Sequence, residues 1–106
     1  MTASRLPLTL DWIVHQPARL GLMTLLGHHP CSYTAIRKEL ALNGALVTRH
    51  THYLELIGYV SRRVEATTGR IHRSTFTLTA DGRKALADYY STISQILSNA
   101  PVSYNQ

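Results

Sequence analysis

Two changes of hydrophobic period constrain this chain more than any other feature. From Pro17 to Ile57 apolar residues recur in three- and four-residue steps, Tyr59–Glu65 is then rich in β-formers and Ile71–Leu78 alternates, and from Ala80 the longer step returns. A period of 3.6 is helical and a period of two is that of a strand with one covered face. One alternating stretch between helices leaves room for a single hairpin in an otherwise helical chain. The expected class is therefore α+β, mostly α, with a two-stranded hairpin and a long C-terminal helix. At 106 residues the chain fits one domain, 1–106, with 10–78 as its core and 79–98 as the terminal helix.

Local signals divide the helical part. Asp11 suits the N-cap of a short helical turn over Leu10–His15, and Pro17 suits the first turn of the next helix. That helix is expected to run to about Leu26, apolar over a wide arc, and to be stopped by Gly27-His28-His29-Pro30. Cys31-Ser32-Tyr33 reads as a short strand or an extended link. A short helix follows from Thr34 to Leu40, with Ile36 and Leu40 on one face. In the turn Ala41-Leu42-Asn43-Gly44, Asn and Gly are the residues that tolerate left-handed angles. A third helix, Ala45–Ile57, buries Val47, Leu54 and Ile57 and shows Thr48, Arg49, His52 and Glu55 on the opposite face. Strands at Tyr59–Glu65 and Ile71–Leu78 flank a Gly-containing turn at Thr67–Arg70. Thr79 is an N-cap candidate for the last helix, Ala80–Leu97.

The charge is unevenly placed. The formal net charge is +5, and nine of the eleven basic residues lie between Arg37 and Lys84, against four acids. Nine of the eleven are arginine, whose planar guanidinium suits phosphates and base edges. An anionic partner is expected. The single cysteine, Cys31, excludes an intrachain disulfide and points to a reducing compartment. Met1–Leu10 lacks the apolar core of a signal peptide, and no apolar run reaches membrane-span length, so a cytoplasmic location is expected, with no membrane partner.

Two short helices joined by a tight turn suggest a helix-turn-helix, whose second helix enters the major groove of double-stranded DNA. The hairpin would then be a wing, with Arg70 at its tip and Arg62, Arg63 and Arg73 on its strands. Three blocks carry a family resemblance: Leu10-Asp11, Ile13, His15, Pro17, Arg19-Leu20 and Leu25-Leu26; then Leu42, Thr48-Arg49-His50, Leu54-Glu55 and Gly58-Tyr59-Val60; then Phe76-Thr77-Leu78-Thr79, Asp81-Gly82-Arg83 and Ala85-Leu86. From Leu10 to Leu97 the chain resembles the winged helix-turn-helix transcriptional regulators related to the MarR and ArsR groups. The likeness is to a short subfamily that is little more than the wing domain and a terminal dimer helix. It departs from the pattern at Ala45-Leu46, often Gly and Asn in relatives, at Thr51, often a core Leu, and at His52 and Tyr53, often basic.

The resemblance implies sequence-specific DNA binding, with Thr48, Arg49, His52, Arg63, Arg70 and Arg73 as the contact residues and a dimeric repressor as the simplest mode of action. Arg62 is left open between DNA contact and an inward orientation. On the last helix Leu86, Tyr89, Tyr90, Ile93, Ile96 and Leu97 form an apolar stripe that a lone copy would leave uncovered, and Trp12 could pack on it. A homodimer is expected, with recognition helices about 34 Å apart on a pseudo-palindromic site. Trp12, Tyr89 and Tyr90 would also suit a small effector pocket, but interface packing accounts for them more simply.

Other readings are weaker. A winged-helix protein-interaction module without DNA binding is the alternative, favoured by His52 and Tyr53 and opposed by the basic hairpin. His28, His29 and Cys31 could converge on a metal, but no carboxylate adjoins them. His50 and His52, two residues apart on a helix, point away from each other. No metal, cofactor or catalytic group is expected, since the chain has no phosphate loop, nucleophile elbow or zinc-peptidase motif.

Overall fold

The polypeptide alternates caps and helices before its sheet forms, and each boundary has a local cause. In the computed structural model, residues 9–66 and 72–99 are described. The chain enters through a turn in which the Asp11 carboxylate accepts from the amides of Ile13 and Val14, at 2.9 and 3.3 Å. This segment is a single turn, closed by the His15 amide donating to Asp11 O at 2.9 Å. Helix α1, Pro17–His28, is capped by the Gln16 side chain, which accepts from the Arg19 amide at 2.8 Å. It runs past the expected end at Leu26 and through Gly27. The stop comes at the extended His29, which precedes Pro30.

Strand β1, Cys31–Ser32, leads directly into helix α2, Tyr33–Leu40, which the Ser32 hydroxyl caps by accepting from Ala35 N. The turn after α2 differs from expectation. The left-handed residue is Ala41, at φ 53°, and not Asn43 or Gly44. Asn43 is extended because its side chain caps helix α3, Gly44–Ile57, accepting from Leu46 N at 2.9 Å. The left-handed step falls to Ala41 because α2 must close there, with Leu42 N donating to Arg37 O. Gly58, at φ 96°, ends α3 in the same way: its amide donates to Glu55 O, and the Tyr59 amide to Leu54 O.

Strands β2, Val60–Ala66, and β3, His72–Leu78, pair antiparallel, with Val60 opposite Leu78 and Ala66 opposite His72. The hairpin is as the alternation predicts. A third strand joins it, since β1 pairs with β3, Cys31 opposite Phe76, and gives the order β1-β3-β2. Helix α4, Ala80–Asn99, starts at Thr79, whose hydroxyl accepts from Gly82 N at 3.0 Å and donates to Gly58 O at 2.6 Å. Among the described residues the fold is thus four helices with a small antiparallel sheet, mostly helical, and α4 is the longest element.

The core lies between α1, α2, α3 and the inner sheet face: Val14, Leu22, Met23, Leu26, Ile36, Val47, Leu54, Val60, Phe76 and Leu78 are buried. Thr51 also faces this core, and its hydroxyl is satisfied by donating to Val47 O at 2.8 Å. Cys31 is a buried thiol, pushed up in pKa by burial and then by Glu39.

His50 is the exception in this apolar setting. Only 7% of its surface is exposed, and its Nδ1 has no hydrogen-bond partner among the described residues. Burial lowers its pKa from 6.5, and the positive charges of Arg19 and Arg49 lower it further. The unfolded chain therefore takes up a proton from about pH 6.5 downward while the folded chain resists it. Stability from this group is fully present above that pH and falls as the solution is acidified. Urea midpoints at pH 7.5 and 5.5 should separate for the wild type and lie closer together for His50→Leu; equal separation in both would refute the assignment.

Candidate nucleic-acid interface

Helix α3 packs beside the hairpin, and polar residues of both line a groove between them. On α3, Thr48, Arg49 and His52 are all exposed. Thr48, His52 and Glu55 fall four and three residues apart on one stripe, which faces the sheet across a groove also lined by Tyr33, Arg62, Ser74 and Phe76. Arg49 lies on the adjacent stripe with Tyr53 and the exposed Leu56. Arg19 reaches α3 from α1: its guanidinium stacks 4.9 Å from the Tyr53 ring centroid, while its Nε donates to Ile13 O.

Strand register divides the hairpin arginines. Arg62 stands opposite Phe76 and shares its face; Arg63 stands opposite Thr75, and Arg73 opposite Glu65, on the other face. Arg62 therefore turns toward α3 and forms an ion pair with Glu55, Nε to Oε1 at 3.4 Å. Arg63 pairs with Glu65 at 3.8 Å, and Arg73 stands across from the same carboxylate in register on the outer face. Arg73 borders a second groove with Ser32, Thr34 and Lys38. The two grooves have Tyr33 and Ser74 in common and are contiguous. Arg70, expected at the wing tip, lies outside the described residues.

The expected contact residues are thus not one cluster. Thr48 and His52 come together with Arg62, Arg49 projects beside them, and Arg63 and Arg73 occupy the far sheet face. Lys38 had no distinguishing signal in the sequence, because only the placement of α2 against β3 brings it to the grooves, and strand register settles the orientation of Arg62 that the sequence left open.

The helix stripe proposed for dimer contact divides similarly. Leu86 and Tyr89 pack partly against the core, Ile93 and Ile96 are half-buried, and Tyr90 and Leu97 are 73% and 60% exposed. Leu20, Leu86, Tyr89, Tyr90 and Ile93 line an open, largely apolar cleft between α1 and α4. Trp12 is 66% exposed, with its ring edge-on to His15, 5.2 Å between centroids. His15 Nδ1 in turn lies 2.7 Å from the Tyr89 hydroxyl. The Tyr59 hydroxyl donates to Asp11 Oδ2 at 2.5 Å, and this bond, with burial, pushes the phenol up to about 12. The entry turn, the end of α3 and α4 are therefore tied together by side-chain hydrogen bonds.

Among the described residues no three His, Cys, Asp or Glu side chains converge as a metal site, and no helix is long and apolar enough to cross a membrane.

Known proteins share this arrangement. The transcriptional regulator homologue of Pyrococcus horikoshii OT3 superposes with a TM-score of 0.76 at 22% identity, over 87% of this chain and 91% of its own. The transcriptional regulator BldR of Sulfolobus solfataricus gives 0.65 at 15% identity, over 92% and 67%. ZitR of Lactococcus lactis, a zinc-responsive MarR family member, gives 0.60 at 15% identity, with 76% of this chain over 55% of its own. No curated protein matches the sequence. At these identities the superpositions establish the fold, and it is the fold that the sequence resemblance implied. A sequence profile of the winged helix DNA-binding domain matches residues 18–97, most of the chain, and the protein belongs to that family.

Proposed function

We propose that this protein is a sequence-specific regulator of transcription that binds double-stranded DNA as a homodimer and acts as a repressor. The observation that carries the reading is the exposed row Thr48, Arg49 and His52 on α3, set beside an arginine-bearing hairpin in a winged helix DNA-binding domain. Helix α3 enters the major groove, where Arg49 suits guanine O6 and N7, and the hairpin lies along the flanking backbone. The expected contact set is Thr48, Arg49, His52, Arg63, Arg70 and Arg73. Binding involves no chemistry. Occupancy of a promoter excludes polymerase, which is the simplest route to repression.

The apolar remainder of α4 supports the dimer. Tyr90, Leu97 and Trp12 are exposed and Ile93 and Ile96 half-buried, and a second copy related by a two-fold axis would cover them. The protein acts in the cytoplasm, where its DNA is.

Fluorescence anisotropy tests the reading. A labelled duplex from upstream of the protein's own gene should bind tightly, with a steep fall in affinity as salt rises, and a scrambled duplex should bind at least tenfold more weakly. Absence of binding to either duplex at low salt would sink the DNA reading and leave the protein-interaction module.

A further inference from the structure

Among the described arginines of the hairpin, Arg62 alone shares the sheet face that looks onto α3. It enters a groove of about 360 Å³ with Tyr33, Thr48, His52 and Ser74. A guanidinium, three hydroxyls and an imidazole therefore converge from α2, α3, β2 and β3. That set of donors suits an acceptor with several oxygens and a negative charge, and a backbone phosphate is such a group. The groove also lies between α3 and the hairpin, beside the flanking backbone of a duplex whose major groove α3 occupies.

Glu55 looks out of place there, since a carboxylate repels phosphate. Its contact with Arg62 resolves the difficulty. The carboxylate approaches Nε at 3.4 Å. One carboxylate takes at most two of the five N–H donors of a guanidinium, so the others remain available. The pair links α3 to β2, and it holds a long side chain that otherwise samples many rotamers.

We propose that this groove seats one backbone phosphate of the duplex, with Arg62 as its charged contact and Glu55 as the positioning residue for Arg62. The proposal rests on the DNA-binding reading above. It adds a contact outside the expected set and gives an acid on the reading helix a role.

The test needs no known operator. Affinity for a mixed-sequence duplex is measured from 50 to 200 mM salt for the wild type, Arg62→Ala, Arg62→Lys, Glu55→Gln and the Glu55→Gln/Arg62→Ala double variant, with circular dichroism checking the fold. Loss of one phosphate contact lowers the salt slope by about 0.9, so Arg62→Ala should lose about 3.5-fold less affinity over this range than the wild type does. Arg62→Lys should keep the slope. Glu55→Gln should weaken the wild type but tighten the Arg62→Ala variant, where only repulsion is left to remove. An unchanged slope in Arg62→Ala, or the same effect of Glu55→Gln in both backgrounds, would overturn the proposal alone. A wild type that binds no duplex would overturn the DNA reading beneath it.

Discussion

Gly82→Ala should destabilise the protein by about 3 kcal/mol, although alanine is the better helix former. Gly82 sits in the first turn of α4, directly against the corner where α3 ends. A Cβ built there stands 2.1 Å from the Tyr59 carbonyl oxygen and 2.8 Å from Leu78 Cδ1. The leucine methyl can move, but the carbonyl cannot easily. It accepts from Thr79 N at 3.0 Å, while Thr79 Oγ1 binds Gly58 O and Gly82 N. The corner is one hydrogen-bonded unit, so relief of the clash requires α4 to withdraw and its caps to break. Gly27→Ala is the control. A Cβ there meets only Leu78 and Leu86 side chains, at 3.8 and 3.9 Å, and the substitution should stabilise α1 by about 0.5–1 kcal/mol. Thermal unfolding at fixed protein concentration should show a fall of about 15 °C for Gly82→Ala and a small rise for Gly27→Ala. An undiminished midpoint for Gly82→Ala would mean that α4 does not start against Tyr59.

The second large effect concerns the proposed dimer. Ile93→Asp should convert the protein from twice its chain mass to one chain mass in sedimentation, and should weaken binding to a two-half-site duplex by about a hundredfold or more. Ile93 is half-buried on the stripe shared with Tyr90 and Leu97, and it lines the cleft between α1 and α4. A charge there is tolerated in a single copy, where water reaches it, but not in an apolar contact between two. The loss on DNA comes from linkage. Once one half-site is bound, the second α3 is held at a high effective concentration over the other, a gain of about 10²–10⁴ that a monomer forgoes. Binding to an isolated half-site should change little, which separates a lost interface from a damaged reading helix. A wild type that sediments as one chain at micromolar concentration would remove the dimer, and with it the two-half-site expectation.

Sequence reading recovered what depends on near neighbours in the chain. Pro17, Gly58 and Thr79 mark helix ends because the groups they satisfy or replace lie within about four residues. The alternation up to Leu78 marked a strand with two unlike faces, and Phe76 and Leu78 are buried on one of them. The apolar stripe of α4 was equally plain. Errors arose where a local preference met a competing demand. Asn43 was free to take the left-handed step by propensity, but its side chain caps α3, so the step fell to Ala41. Gly27 reads as a stop, yet α1 runs through it.

Chain order, helix types and the family fold were determined by the sequence itself, because periodicity and caps are properties of contiguous residues. Only the tertiary structure decided that two residues at Cys31 form a third strand, that Arg62 turns inward to Glu55 while Arg63 and Arg73 turn outward, and that Gly82 admits no side chain. Each of these depends on strand register or on a close approach between segments far apart in the chain. A shift of one residue in register would exchange the two faces of the hairpin and every arginine on them.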